Sequence, residues 1–190
     1  HAQPESALAH VDNLNESNLF VCGAATKGLQ APGLRIGWTI ASKRNIDILG
    51  NFASFGIGGV AHPSQNMAVA LLEPQRVKQA RAAIASYYAS QRARYGAAFE
   101  SLGLKLHSGD GGFYHWCELP DGLTAAALNR NLFVRGAAIL EGPACDMARR
   151  GAQSPLANFF RFSFGPLAPS SFDTDIELLS QALRSPVSIL

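Results

Sequence analysis

One lysine and one arginine stand out in the stretch from Ala25 to Trp38 of this 190-residue chain. Lys27 follows a short apolar run at the mouth of a turn rich in glycine and proline, and Arg35 comes eight residues later. A lysine amine that is partly desolvated near another cation can attack an aldehyde, and an arginine fork suits a phosphate. The stretch therefore predicts a nucleophilic amine beside an anion-binding group. The simpler alternative is a surface lysine next to a structural turn.

A second arginine, Arg161, interrupts the apolar run from Asn158 to Phe164. A buried guanidinium is costly unless an anion pairs with it, so this arrangement indicates an anion-binding strand. The alternative is an edge strand whose Arg161 faces water, because most arginines are exposed. The lysine stretch upstream favours the first interpretation, since the two features then agree in function.

The lysine stretch resembles the motif of the fold-type I PLP-dependent aminotransferases (class I/II, aspartate-aminotransferase-like), which reads S-x-S-K, a loop, and P-G-L-R-x-G. Here Pro32 to Gly37 reads P-G-L-R-I-G. The resemblance implies that Lys27 forms the Schiff base with pyridoxal 5′-phosphate (PLP) and shuttles the substrate's α-proton. It also implies that Arg35 binds the cofactor phosphate. Ala24 replaces the family's usual Ser or Thr, whereas Thr26 occupies the serine position and would keep a hydroxyl near that phosphate.

Three further segments carry the same resemblance. The strand around Arg161 is similar to the family's iRlsF strand, which implies that Arg161 grips the substrate α-carboxylate in a two-pronged contact. Gly111 to Trp116 resembles the GGmFvW strand that opens the small domain, and there Phe113 or Tyr114 is the candidate to face substrate. Ala138 to Cys145 resembles a turn of the form vavvPGs.F.

The resemblance implies an α/β fold of the PLP-dependent transferase type. It extends from about Asn18 to Leu183 and covers only the second half of the family's usual chain, so we expect a fragment of a longer enzyme. Residues 1–73 would form the C-terminal part of the large PLP-binding domain, with a mostly parallel sheet. Residues 74–190 would form a long linking helix and a small α+β domain.

Apolar periodicity predicts the elements that must position these groups. The clearest is a helix from about Pro74 to Leu102, which would span roughly 40 Å and act as a strut between two bodies. Ser64 is expected to cap a helix that ends at Leu72, after a glycine-rich loop at 54–63 that in related enzymes reaches the partner's active site. The other predicted elements are strands at 18–23, 35–41, 105–107, 113–119, 137–140 and 159–164 and helices at 124–133 and 173–183.

Composition and charge argue against several classes of protein. A net charge of +2, without a long run of lysine or arginine, gives no indication of nucleic-acid binding. No apolar stretch reaches the roughly 20 residues of a membrane-spanning helix. The first residues, His1 to Glu5, lack the basic start and apolar run of a signal peptide.

The cysteines and histidines predict neither disulfides nor a metal site. Cys22, Cys117 and Cys145 are far apart and lack CxxC spacing, so we expect reduced thiols of a cytoplasmic protein. The histidines at 62, 107 and 115 each stand alone, without the spacing of metal ligands, and are interpreted as structural or solvent-facing.

The expected activity is the transfer of an amino group between an amino acid and a 2-oxo acid, with PLP on Lys27 and the carboxylate on Arg161. Because the family's active sites lie at a two-fold interface, a homodimer is implied. The alternatives are a PLP-dependent lyase or decarboxylase of the same fold, the effector-sensing domain of a PLP-fold transcription regulator, and an inactive remnant retained for binding. A requirement for a 2-oxo acid would distinguish an aminotransferase from a lyase or decarboxylase. The regulators of this fold usually have a shorter loop between the lysine and the arginine that match Lys27 and Arg35.

Overall fold

The computed structural model describes residues 5–184 of the chain. The chain falls into two compact units that divide between Ala85 and Ser86, inside one long helix. The expected domain boundary after residue 73 stays a prediction. The segment from His1 to Glu5, which was expected not to be a signal peptide, lies outside the described residues except for Glu5. None of the described helices is both long enough and apolar enough to cross a membrane.

The first unit combines two short strands with several helices. Its described elements are β1 (Val21–Ala24), α1 (Ala25–Gly28), β2 (Gly37–Ile40), α2 (Lys43–Gly56) and α3 (His62–Leu71). Short 3-10 turns lie at Ala7–His10, Leu14–Glu16 and Pro32–Leu34. The second of these turns meets the start of α2, where the side-chain oxygen of Asn15 accepts a hydrogen bond from the backbone N–H of Lys43 at 2.9 Å.

β1 and β2 pair antiparallel, and their ladder ends with Ala24 opposite Gly37. Gly37 permits this close approach, because a Cβ there would lie 2.9 Å from the carbonyl oxygen of Gly23. The indole of Trp38 occupies the space where a side chain at Gly23 would lie. The expectation of a mostly parallel sheet does not hold for this pair, because the chain turns back without the crossover helix that joins parallel strands.

Three sequence-based boundaries in this unit are wrong. β1 begins at Val21 rather than at residue 18. β2 begins at Gly37, so Arg35 lies outside the strand predicted at 35–41. α3 begins at His62, two residues before Ser64, and its N-cap Ala61 makes no side-chain hydrogen bond. Proline in the first turn starts this helix instead, because its fixed φ suits that position and its missing N–H costs nothing there.

α2 was not predicted at all, and it takes in the first residues of the segment expected to be a glycine-rich loop. Ser42 is its N-cap, and the side-chain oxygen accepts a hydrogen bond from the backbone N–H of Asn45 at 3.4 Å. That serine was the available signal. The apolar residues of α2 occupy one half of the helix circumference, but they are largely exposed.

The long helix α4 (Pro74–Ser101) agrees with its prediction to within one residue at the C-terminal end. Its last turn closes through Gly103, which has φ +81°, and the backbone N–H of Leu104 donates to the carbonyl of Phe99 at 3.0 Å. A glycine in this left-handed conformation is a common helix stop. The helix contributes Tyr95 and Phe99, almost fully buried, to the core of the second unit.

The second unit is a four-stranded antiparallel sheet with helices packed on it. Its described strands and α-helices after α4 are β3 (Lys105–Leu106), β4 (Tyr114–Glu118), α5 (Ala125–Phe133), β5 (Leu140–Glu141), β6 (Phe159–Ser163) and α6 (Phe172–Arg184). The strands are ordered β3-β4-β6-β5. Thr124 caps α5 with its side-chain oxygen, which accepts from the N–H of Ala127 at 3.3 Å.

Side chains alternate between the two faces of this sheet. His115, Cys117 and Phe160 are buried on the face that packs against the helices, together with Tyr95 and Phe99 of α4. The opposite face, which we call the outer face, carries the half-buried side chains that pair across the strands. These outer-face residues are Tyr114, Trp116, Glu118, Phe159, Arg161 and Ser163.

The strand predicted at 137–140 is reduced to Leu140 and Glu141. Gly136, with φ +77°, ends the preceding helix, and the N–H of Ala137 donates to the carbonyl of Leu132 at 3.0 Å. The N–H of Ile139 donates to the side-chain oxygen of Asn129 at 3.0 Å. These backbone groups are therefore engaged with α5 and are not available for a sheet ladder.

Candidate active site

Lys27 lies in the single turn of α1, directly after β1. The turn is closed on both sides by backbone hydrogen bonds, from Ala25 N–H to the carbonyl of Ile36 at 3.2 Å and from Ala31 N–H to the carbonyl of Ala25 at 3.0 Å. Ala25 is fully buried and anchors the turn, whereas Lys27 is exposed. The side chain of Lys27 therefore lies on an exposed surface of the first unit.

Arg35 is held in a strained backbone conformation. Its φ and ψ are 49° and 44°, in the left-handed region, and its Nη1 donates to the carbonyl of Pro32 at 2.7 Å. Gln30 in the same loop also has positive φ, at 50°. Non-glycine residues pay about 1–3 kcal/mol each for such conformations, which persist where the surrounding structure requires them and often mark functional sites. Gln30 is a feature of the loop that sequence reasoning missed.

The end of the β1–β2 ladder brings the predicted cofactor-binding residues into one loop. The last pair is Ala24 opposite Gly37, and residues 25–36 close that end of the ribbon. Thr26, Lys27 and Arg35 all belong to this loop, and Thr26 is half-buried within it. Two cations and one hydroxyl therefore lie in a short exposed loop fixed at both ends by strands.

Arg161 lies on the outer face of the second unit, in β6. Its cross-strand neighbours are Trp116 on β4 and Leu140 on β5. The guanidinium carbon lies 4.4 Å from the ring centroid of Tyr114. Within residues 5–184, its Nε is the buried side-chain polar atom that has no hydrogen-bond partner. Arg161 is thus half-buried in a strand, as the sequence indicates, and it belongs to a different compact unit from Lys27.

His115 and His107 make structural contacts in the second unit. The Nε2 of His115 donates to the carbonyl of Arg92 at 3.0 Å, and its Nδ1 therefore accepts from the Ser108 hydroxyl at 3.0 Å. Burial lowers the pKa of this histidine below 6.5. His107 pairs with Glu118 at 2.7 Å and, as the main cause, lowers the pKa of that carboxyl. Across the described residues, no group of three or more histidine, cysteine or acidic side chains could hold a metal ion.

The whole stretch from residue 2 to residue 169 matches the family described as aminotransferase class I and II. The chain belongs to this family. Among solved structures, the kynurenine aminotransferase of Pyrococcus horikoshii, in complex with PMP, has a TM-score of 0.78 at 22% identity, with 92% of this chain covered. LysN, an α-aminoadipate aminotransferase from Thermus thermophilus, complexed with N-(5′-phosphopyridoxyl)-L-leucine, has a TM-score of 0.73 at 22% identity and 87% coverage. These likenesses confirm the fold class.

The chain spans less than half the length of the relatives it matches. It covers 43% of the Pyrococcus enzyme and 41% of LysN. A curated relative, the aminotransferase swnA of Metarhizium robertsii (strain ARSEF 23 / ATCC MYA-3075), is 42% identical over 60 residues, which is 32% of this chain and 12% of that protein. The chain therefore corresponds to a part of the fold of these relatives.

Proposed function

We propose that the protein carrying this chain is a PLP-dependent aminotransferase that moves an amino group between an amino acid and a 2-oxo acid. The observation that carries the proposal is the placement of Lys27 in the turn after β1, within one loop that also holds Thr26 and Arg35. Family membership supports it. The structural relatives complexed with PMP or a phosphopyridoxyl amino acid are of the same fold.

The donors of this loop fit a phosphorylated aldehyde. Lys27 offers an exposed primary amine for covalent attachment, and Arg35 offers a guanidinium of which Nη1 is already oriented by Pro32. The Thr26 hydroxyl would add a donor for the phosphate, since Ala24 supplies none. When bound, PLP acts as an electron sink for the bond that breaks at the amino acid's Cα. Lys27 would carry the proton from that Cα to the cofactor's C4′.

Arg161 would fix the substrate carboxylate. A guanidinium presents two parallel N–H groups to a carboxylate, and the contact is stronger and more directional than one with a neutral donor. The sheet supplies a rigid base for the residue, because Arg161 pairs with strands on both sides. Holding the carboxylate in a two-pronged contact restricts the orientation of the bound substrate.

The proposal extends to assembly, location and domain organisation. The first unit carries several large apolar side chains that are strongly exposed, among them Phe52, Phe55 and Ile57, and such patches commonly mark interfaces. We assign them to a homodimer. The cysteines at 22, 117 and 145 are unpaired, in keeping with a cytoplasmic enzyme. A domain boundary near residue 73 would assign all of α4 to the small domain.

Borohydride reduction after incubation with PLP, followed by peptide mass mapping, tests the role of Lys27. We expect one pyridoxyl adduct on the peptide that contains Lys27 and none in the Lys27→Ala variant. The matched control is Lys43→Ala, which removes an exposed lysine of the same unit that pairs with Asp47 at 2.8 Å. Labelling that is spread over surface lysines, and that persists after Lys27→Ala, would contradict the proposal.

A further inference from the structure

The register of β4 and β6 makes Tyr114 a diagonal neighbour of Arg161. Trp116 lies directly opposite Arg161, and Tyr114 lies opposite Ser163, two residues further along β6. Residues two positions apart on a strand share a face, so Tyr114, Trp116 and Arg161 all project from the outer face. Diagonal pairs on one face are within reach of aromatic and long side chains.

Of the two aromatic neighbours of Arg161, Tyr114 is the one whose ring contacts the guanidinium. Its ring centroid lies 4.4 Å from the guanidinium carbon of Arg161. Trp116 is engaged elsewhere, because its ring stacks on Phe159 at 5.8 Å with an interplanar angle of 13°. A guanidinium over an aromatic face is attracted by the ring's quadrupole, and the contact restricts the rotamers of a long, flexible side chain.

The environment of Nε determines how Arg161 can bind an anion. This atom is enclosed and has no hydrogen-bond partner among the described residues, and neither Nη1 nor Nη2 combines these two properties. An incoming carboxylate therefore meets the two terminal nitrogens rather than Nε and one Nη. The ring of Tyr114 and the enclosure of Nε together select this end-on arrangement.

We propose that Tyr114 is the positioning residue of Arg161, and that its ring presents Nη1 and Nη2 end-on to the substrate carboxylate. This inference rests on the proposed carboxylate-binding role of Arg161. The aromatic ring is the required part, and the hydroxyl of Tyr114 is dispensable. Tyr114→Phe should therefore behave like the wild type, whereas Tyr114→Leu should release the guanidinium.

The first measurement is the Nε–H resonance of Arg161 in the ¹⁵N-labelled 190-residue chain, assigned by its loss in Arg161→Lys. We expect a proton signal shifted upfield by the ring of Tyr114 and protected from solvent exchange. Tyr114→Phe should keep both properties, and Tyr114→Leu should lose both. Tyr114→Met, which fills a similar volume without a ring, should resemble the leucine variant, so that loss of packing alone is not mistaken for loss of the ring.

The second measurement is the affinity for pyruvate, followed on backbone resonances of β6 without PLP. We expect Tyr114→Leu to raise the dissociation constant about 3- to 30-fold and Tyr114→Phe to change it by no more than about twofold. Phe159→Leu is the matched control, because that ring stacks on Trp116 and lies on the same face. It should leave the Nε–H signal of Arg161 in place.

Two results would overturn the inference. One is a folded Tyr114→Leu variant, checked by circular dichroism, that retains the Nε–H shift and the wild-type affinity. The other is a wild-type chain whose Arg161 resonances do not respond to pyruvate. Neither measurement involves the cofactor, so a failure here is distinguishable from a failure of the Lys27 labelling experiment, which tests the proposed activity.

Discussion

Close backbone contacts fix the turn that follows β5, and Gly142 is the residue on which they depend. A Cβ at this position would lie 2.6 Å from the carbonyl oxygen of Phe159 and would also collide with the carbonyl oxygen of Leu156. Both obstacles are backbone atoms, which cannot rotate away as the end of a side chain can. The Glu141-Gly142-Pro143 sequence, interpreted from the sequence as a family turn, thus carries a glycine that packing requires.

Gly142→Ala is expected to lower the free energy of unfolding by about 1–3 kcal/mol, the usual cost of forcing extra atoms into a packed site. Urea denaturation of the chain measures this change. Gly109→Ala is the control, because a Cβ at Gly109 meets nothing within 4 Å. Equal stability of the two variants would show that the turn after β5 relaxes without cost.

Arg35 is the residue of the loop whose charge the proposed phosphate contact requires. Arg35→Gln keeps a side chain of similar reach but removes the cation, and we expect the dissociation constant for PLP to rise about tenfold or more, as for other lost charge-assisted hydrogen bonds. Fluorescence titration with PLP measures it. Arg44→Gln, an exposed site in α2, is the control. An unchanged affinity in Arg35→Gln would exclude Arg35 as a phosphate ligand.

At the level of elements, α4 is joined to the sheet of the second unit by buried polar contacts as well as apolar ones. His115 of β4 donates to the carbonyl of Arg92, and Gly96 of α4 leaves room for the imidazole, which would lie 3.4 Å from a Cβ at that position. Tyr95, whose ring contacts Phe99, Phe162, Phe164 and Phe172, donates to Asp175 of α6 at 2.7 Å.

His115 should make the stability of this unit depend on pH. Burial lowers its pKa in the folded state below 6.5, so the unfolded chain binds more protons between the two pKa values. The free energy of unfolding should therefore fall as the pH decreases below about 6.5. Urea denaturation at a series of pH values measures the slope. His115→Gln should abolish the slope just below pH 6.5, and a slope unchanged in that variant would assign it to another group.

Tyr95→Phe should lower the free energy of unfolding by about 1.5–3 kcal/mol, because the hydroxyl donates to a carboxylate. Burial is the main cause that raises the pKa of Tyr95, and Asp175 adds to it. The control is Tyr87→Phe, whose hydroxyl reaches the carbonyl of Leu167 only at 3.5 Å. Thermal or urea unfolding compares the two variants. A larger loss in the control would show that the Asp175 contact contributes little.

Elements with a clear period were predictable from sequence, and the exceptions have physical reasons. α4 and β4 show steps of 3.6 and 2 residues, and both were located to within about one residue at each end. The prediction of a strand at 137–140 was largely wrong, because backbone groups of this segment bond to α5. This tertiary contact cannot be recognised from the local sequence pattern. The prediction that Arg35 begins a strand was wrong, because no sequence signal indicates a left-handed backbone at a non-glycine position.

For the site, the sequence located the residue types but not their surroundings. Lys27, Thr26 and Arg35 were recognised through a motif, and the structure places them in one loop at the end of a ribbon. The apolar run around Arg161 indicated that this residue is partly buried. The contact with Tyr114 depends on the register between β4 and β6, and register follows from the complete sheet rather than from either strand alone.

On the scale of the whole molecule, the exposed apolar side chains of the first unit should determine how the protein associates. Phe55 is 97% exposed and Phe52 is 76% exposed, so neither contributes much to the stability of this chain. The double variant Phe52→Ser/Phe55→Ser should shift sedimentation toward the monomer with little change in unfolding. Lys78→Ser, at an exposed position of α4, is the control. A double variant that still sediments as the wild type would place the association surface elsewhere.

The three thiols differ in accessibility, so that each compact unit carries one accessible thiol. Cys117 is fully buried, with a pKa raised by burial to about 12, so it should resist alkylation. Cys22 in the first unit and Cys145 in the second are exposed. A maleimide dye or nitroxide would therefore attach once to each unit of the unmodified chain. Such a pair would act as a spectroscopic ruler for the separation of the two units, with cofactor or substrate added or withheld.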